Sequence, residues 1–350
     1  MDLHSRDFVT RLDPHGMLRL TEEFPIQCER ALEIARRAEP PKLANPPAVV
    51  VVTGLGGSAA GGDFARSLYE ANGAAPLIVN RDYHMPNYLG LGDLVFCCSY
   101  SGNTEETLSA YVEAKKAGAK VIVISSGGKL TELAKADGHT VVTVPGGQPP
   151  RTALGFMLIP VLVLSEKLKL IPAQPYEKAI ALLKACCAKW TVEGAENGPK
   201  ELATALHGKL GIIYGLGLWQ GLLANRWKGQ INENAKVLAF QNSFPELNHN
   251  EILGWVGAKN QGANGYVVVT LQDGTESKQM KARLQVSKTL IGETAEFFDV
   301  FAEGDSLLEK LLSLTYYGDF TSIYLAALEG VDPEDIGSIN TLKSELAKLS

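Results

Sequence analysis

Long apolar runs are missing from this sequence. The longest, Ala153 to Leu164, spans about twelve residues, short of the roughly 20 that a helix needs to cross a bilayer. No membrane partner is expected. Basic runs are missing too: Lys and Arg number 33 against 39 acidic residues, for a net charge of −6, which argues against a nucleic-acid surface. Cysteine is sparse. The five present (Cys28, Cys97, Cys98, Cys186 and Cys187) include two adjacent pairs and no Cys-x-x-Cys. That usage argues against a disulfide framework or a zinc site and suits reduced thiols in a cytoplasm. The opening residues, Met1 to Leu20, lack the apolar core of a secretion signal.

What is present is ample core material. Of 350 residues, 45% are hydrophobic and 21% charged, enough for two folded domains. Residues 17–38 read as one amphipathic helix stopped by Pro40 and Pro41. From Pro47 short apolar runs alternate with helical stretches. Strands are expected at 48–53, 77–80, 94–98, 120–125 and 140–144, and again at 210–214, 237–241, 265–271 and 295–300. Residues 176–207 read as helical, as do 218–233, 278–290 and 306–329. Such alternation predicts doubly wound parallel sheets. Gly54-Leu55-Gly56 and Gly215-Leu216-Gly217 occupy equivalent strand-to-helix turns, so the halves read as a pseudo-duplication.

Two turns of the first half favour an anion. Gly54-Leu55-Gly56-Gly57-Ser58 follows the first strand. Ser99-Tyr100-Ser101-Gly102-Asn103-Thr104 follows the third and leads into a helix. Hydroxyls beside unpaired helix-start N–H groups suit a phosphate dianion. The nest has no Lys or Arg, so hydrogen bonds rather than formal charge would hold the ligand. Ordinary N-capping uses the same residue types. The glycine turn also fits a dinucleotide fingerprint loosely, with Asp82 as the ribose ligand; such a match alone is weak. Arg151 ends a Pro- and Gly-rich loop, either as a solvated residue or as a cation facing developing negative charge.

In the second half Glu233 lies between two asparagines where a helix meets a strand. A carboxylate is unfavourable at a helix C-terminus, so its retention there hints at a role. His249 lies among Glu246, Asn248, Asn250 and Glu251. It is a hydrogen-bonded loop histidine or a functional one, and no second histidine has metal-ligand spacing.

These motifs have a precedent. The stretch Ser99 to Thr107 resembles the phosphosugar turn of the sugar isomerase (SIS) domain family. Lys228 to Lys236 and Pro245 to Glu251 resemble segments of the bifunctional phosphoglucose/phosphomannose isomerases. The resemblance implies two SIS subdomains of flavodoxin-like type, over 45–172 and 173–350, behind a helical segment at 1–44. It implies a homodimer that needs no metal or cofactor. Gly57, Ser58, Ser99, Ser101 and Thr104 would hold the sugar phosphate. Glu233 would be the catalytic base, and Arg151 would sit near C1 and C2. His249, reaching in from the other subunit, and Lys343, in the segment Ile339-Asn340-Thr341-Leu342-Lys343, would open the ring.

The residue types suit that chemistry. One carboxylate on one face of a planar enediol can lift the C2 proton and return it to C1. The implied reaction interconverts glucose 6-phosphate, and mannose 6-phosphate, with fructose 6-phosphate. A non-catalytic SIS sensor is the alternative. It would need the phosphate nest but not Glu233, His249 and Arg151 together. An amidotransferase-type sugar synthase would need an N-terminal nucleophile domain that the sequence does not carry.

Overall fold

The computed structural model describes residues 2–195, 197–261, 265–346 and 348. The chain forms two compact units. One comprises residues 23–184 with 304–311; the other comprises 1–22, 185–303 and 312–350. The divisions at 22/23 and 184/185 fall beside or within helices, where no linker composition marks them.

Helices and strands alternate along the chain. After α1 (Arg6–Thr10), α2 (Met17–Glu22) and α3 (Phe24–Arg37) come β1 (Val50–Thr53), α4 (Gly56–Asn72), β2 (Leu77–Asn80), β3 (Leu94–Cys98), α5 (Glu105–Lys116), β4 (Lys120–Ser125), α6 (Gly128–Ala136), β5 (Thr140–Thr143) and α7 (Leu154–Lys167). There follow α8 (Tyr176–Trp190), α9 (Gly198–Leu206), β6 (Leu210–Gly215), α10 (Leu218–Gln230), β7 (Ala239–Ser243), α11 (Glu251–Gly254), β8 (Tyr266–Gln272), α12 (Lys278–Ile291), β9 (Ala295–Phe301), α13 (Leu307–Glu329) and α14 (Gly337–Leu346).

The stretch read as one helix, 17–38, and the helical stretch 176–207 are each divided in two. Residues 17–38 form α2 and α3, parted at Glu23. Pro25 lies in the first turn of α3, where its missing N–H costs nothing. Residues 176–207 form α8 and α9. Asn197 serves both helix ends: its side chain accepts from Lys200 N–H at 3.2 Å and donates to the carbonyls of Trp190 and Thr191, each at 2.9 Å.

In the first unit five parallel strands run in the order β2-β1-β3-β4-β5. β1 and β3 are buried along their whole length. Their unalternated runs of Val, Leu and Phe reflect a sheet covered on both faces. Each such side chain contributes about 1.5–3 kcal/mol on burial. The thiols of Cys97 and Cys98 lie in this core, and burial pushes that of Cys98 up to about 12. The second unit repeats the pattern with one strand fewer, β7-β6-β8-β9, again all parallel.

In both sheets the first strand lies between the second and the third. The connection therefore reverses direction there, and the crevice at the carboxyl ends is the place for a ligand. The two crevices differ in chemistry. After β1 and β3 come Ser58 and the Ser99–Thr104 turn. After β6 comes Gly215-Leu216-Gly217, without a hydroxyl. After β8 the hydroxyls are spent and acids intrude: Thr275 Oγ1 donates to Asp273 at 2.7 Å, Asp273 N–H donates to Glu276 at 2.6 Å, and Ser277 caps α12.

Candidate active site

The nest in the first unit is built from backbone approach. Gly57 lies in the first turn of α4. A Cβ there would sit 2.8 Å from the Pro150 carbonyl carbon and 3.0 Å from Arg151 Cα. Only glycine lets the helix start come this close to the segment that bears Arg151. Gly102, at φ +70, turns the second loop through a conformation that favours glycine.

Side chains then tie the two turns together. Tyr100 N–H donates to Ser58 Oγ at 3.1 Å, which leaves the serine proton to donate elsewhere. Ser99 Oγ lies 2.8 Å from Thr104 Oγ1 and accepts from Gly102 N–H at 3.1 Å. Ser58 and Ser99 are buried, while Ser101 is exposed, its oxygen accepting from Asn103 N–H at 3.3 Å. Thr104 stands at the N-cap of α5, yet its side chain makes no capping bond. Ordinary capping, which would consume that hydroxyl, is therefore not its use. α4 has no side-chain cap either. Both helices thus direct positive dipole ends toward these hydroxyls.

Arg151 is not a solvated loop residue. It is only 5% exposed, on the 3-10 turn Pro150–Thr152. Two residues missed from sequence fix that turn. Gln27 of α3 donates to Thr152 O and accepts from Gly155 N–H, each at 2.8 Å, filling the break before α7. Tyr100 OH donates to Pro145 O at 2.9 Å, linking the nest to the loop that ends in Arg151. Neither announces itself: Gln27 lies more than a hundred residues from its partners, and Tyr100 reads as an incidental aromatic. Gly57→Ala is expected to displace the Arg151 turn and raise KM for a sugar phosphate by about tenfold or more. Steady-state kinetics with a melting curve would check it; unchanged KM in a folded variant would contradict it.

In the second unit α10 ends in a π turn, Ile231–Ala235, a geometry concentrated at functional sites. α10 itself is firmly held. Arg226 pairs with Asp319 at 2.9 Å, Gln230 donates to the same carboxylate at 2.8 Å, and Trp227 stacks on Tyr317 with ring centroids 5.7 Å apart. Both asparagines beside Glu233 are structural. Asn232 Oδ1 accepts from Ala239 N–H, and Asn234 Nδ2 donates to Ser322 Oγ, each at 2.9 Å. Glu233, half-buried, lines an open cleft of about 320 Å³ with Lys236, Leu238 and the start of α14, Gly337 to Ile339. Lys343 lies on α14; its side chain is outside the described residues.

His249 sits on a separate 3-10 turn, Glu246–His249, and is exposed. Among the described residues its ring makes no hydrogen bond, but its neighbours are pinned. Asn248 donates to Ser287 Oγ at 2.8 Å, and Asn250 to Glu246 at 3.0 Å. Glu251 accepts from Asn242 at 2.6 Å and from the Tyr214 hydroxyl, which itself accepts from Trp255 Nε1 at 2.9 Å. Burial, and then that carboxylate, pushes the Tyr214 hydroxyl above its ordinary value. Among the described residues no group of three or more His, Cys, Asp or Glu is placed to hold a metal, and no helix is long and apolar enough to cross a membrane.

A parallel α/β fold repeated within one chain, with a family-model match to its second half, places this chain in the SIS class. Residues 195–346 match the model of the bacterial phospho-glucose isomerase C-terminal SIS domain. Over 338 residues the chain is 42% identical to the bifunctional phosphoglucose/phosphomannose isomerase of Caldicellulosiruptor bescii, covering 95% of this chain and 99% of that one. The chain belongs to the bifunctional phosphoglucose/phosphomannose isomerase family. The protein of that name from Aquifex aeolicus is 37% identical over 305 residues, covering 85% and 90% of the two chains. A solved structure, a hypothetical protein from Thermus thermophilus, shares the fold with a TM-score of 0.76 at 16% identity, over 99% of this chain and 93% of that one.

Proposed function

We propose that this chain is an aldose–ketose isomerase that interconverts glucose 6-phosphate and mannose 6-phosphate with fructose 6-phosphate. The relatives bear the name of that activity, and the nest at Gly57, Ser58, Ser99, Ser101 and Thr104 suits the phosphate shared by all three sugars. The observation that carries the reading is the π turn, where both asparagines anchor the backbone and Glu233 between them lines the cleft.

In the open-chain sugar Glu233 accepts the C2 proton. The electron pair left behind forms the C1–C2 double bond, and negative charge gathers on O1. Arg151 stabilises that charge. Transfer of the O2 proton to O1 makes the C2 carbonyl, and Glu233 returns its proton to C1 on the same face. Ring opening comes first: one group takes the anomeric hydroxyl proton while another protonates the ring oxygen. We assign these tasks to His249 and Lys343. An exposed imidazole on a pinned turn suits a residue used by a second copy, so we propose a homodimer with His249 crossing the interface. Five cysteines without a disulfide, four of them buried, suit a reducing cytoplasm.

A dehydrogenase-coupled assay started with fructose 6-phosphate tests the reading, with mannose 6-phosphate formation followed in parallel. Turnover to both aldoses is expected. Binding of the sugar phosphate without turnover would favour a sensor instead.

A further inference from the structure

Lys236 follows the π turn in a left-handed conformation, φ +59. Glycine is the usual occupant of such a position after a helix, so a long side chain kept there invites a reason. Its ammonium supplies one. Lys236 Nζ donates to Glu233 O at 2.7 Å, to Asn234 O at 3.4 Å and to Pro333 O at 3.2 Å. The first two are carbonyls at the end of the turn, where helix carbonyls lack internal partners and the dipole is negative. The third lies 97 residues away, four residues before α14 begins. One lysine thus joins the turn that bears Glu233 to the segment that leads into the helix bearing residue 343. Both lie in the same unit and wall the same cleft.

Other bonds hold each of these two walls in turn. Asn232 and Asn234 hold the turn to β7 and α13. The approach to α14 is stiffened locally, with Asp332 accepting from Glu334 N–H at 2.8 Å and Asp335 from Gly337 N–H at 2.9 Å.

We propose that Lys236 is a positioning residue for the isomerisation. It holds the backbone under Glu233 and the entry of α14 at one fixed separation, so that the cleft keeps the geometry proton transfer needs. A lysine that merely capped the turn would touch stability and leave the chemistry alone. The inference rests on the isomerase reading, and the tests below separate the two.

Lys236→Met keeps the stem and removes the ammonium. Well below its melting temperature, kcat for fructose 6-phosphate is expected to fall about 10- to 100-fold, with KM within about threefold of the parent because the nest is untouched. Lys236→Gly in added methylammonium should recover part of kcat. Amide hydrogen exchange over residues 334–342 should quicken about tenfold or more in Lys236→Met relative to exchange in β1 and β3. That readout needs no turnover: an inactive parent sinks the isomerase reading, whereas unchanged exchange sinks the positioning role. If Lys236→Met does not fold, Lys236→Arg is read in the same way, since a planar fork cannot place one point charge among three carbonyls. A folded variant with kcat within about twofold of the parent, or with a KM rise that accounts for the whole loss, overturns the proposal.

Discussion

Glu233→Gln is expected to lower kcat for fructose 6-phosphate by about 10²- to 10⁴-fold, the range a positioned proton-transfer group supplies. The amide has the shape of the carboxylate and should preserve the π turn, whose anchors are Asn232 and Asn234. It cannot accept the C2 proton. Binding of the sugar phosphate, followed by calorimetry, should stay close to that of the parent. Exchange of the C2 proton with deuterated solvent, followed by NMR, should stop together with turnover. A variant that still exchanges that proton at the parental rate would assign the base elsewhere.

Replacing Arg151 by Met, similar in volume, is expected to cost about 10²- to 10³-fold in kcat, the loss seen when a donor to a developing oxyanion is removed. The side chain is 5% exposed, and its turn is fixed by backbone bonds to Gln27. Loss of the cation should therefore not move the turn. Arg151→Lys should restore only part of the rate, because an ammonium cannot span two oxygens as a planar fork can. The decisive comparison is kcat against KM. If KM alone rises, Arg151 binds the ground state, and the enediolate charge is met by another group.

The parallel sheets were legible because their strands are short, Val- and Ile-rich and bounded by Gly and Pro. The hydroxyl nest was legible because its residues lie within two short segments. Glu233 stood out through its two asparagines, although their anchoring roles depend on partners 7 and 88 residues away. The burial of Arg151 could not be read, since a Pro- and Gly-rich loop signals exposure and the closing contact comes from Gln27 on a distant helix. The helix break at Glu23 escaped because the apolar spacing runs straight through Pro25, which the first turn of a helix accepts. Tyr100 and Lys236 escaped for a shared reason: each acts through backbone carbonyls, which leave no complementary residue type to notice.

The unequal chemistry of the two sheets leads us to propose a stoichiometry. An anion would have one berth per chain: the crevice after β1 and β3 gathers the hydroxyls of Ser58, Ser99 and Thr104, while its counterpart carries Leu218 after the first turn and Asp273 and Glu276 after the third strand. Inorganic phosphate should accordingly compete with substrate along a single saturation curve. A crevice lined with acids would repel phosphate, so the two copies of the fold would divide the work rather than supply two anion pockets.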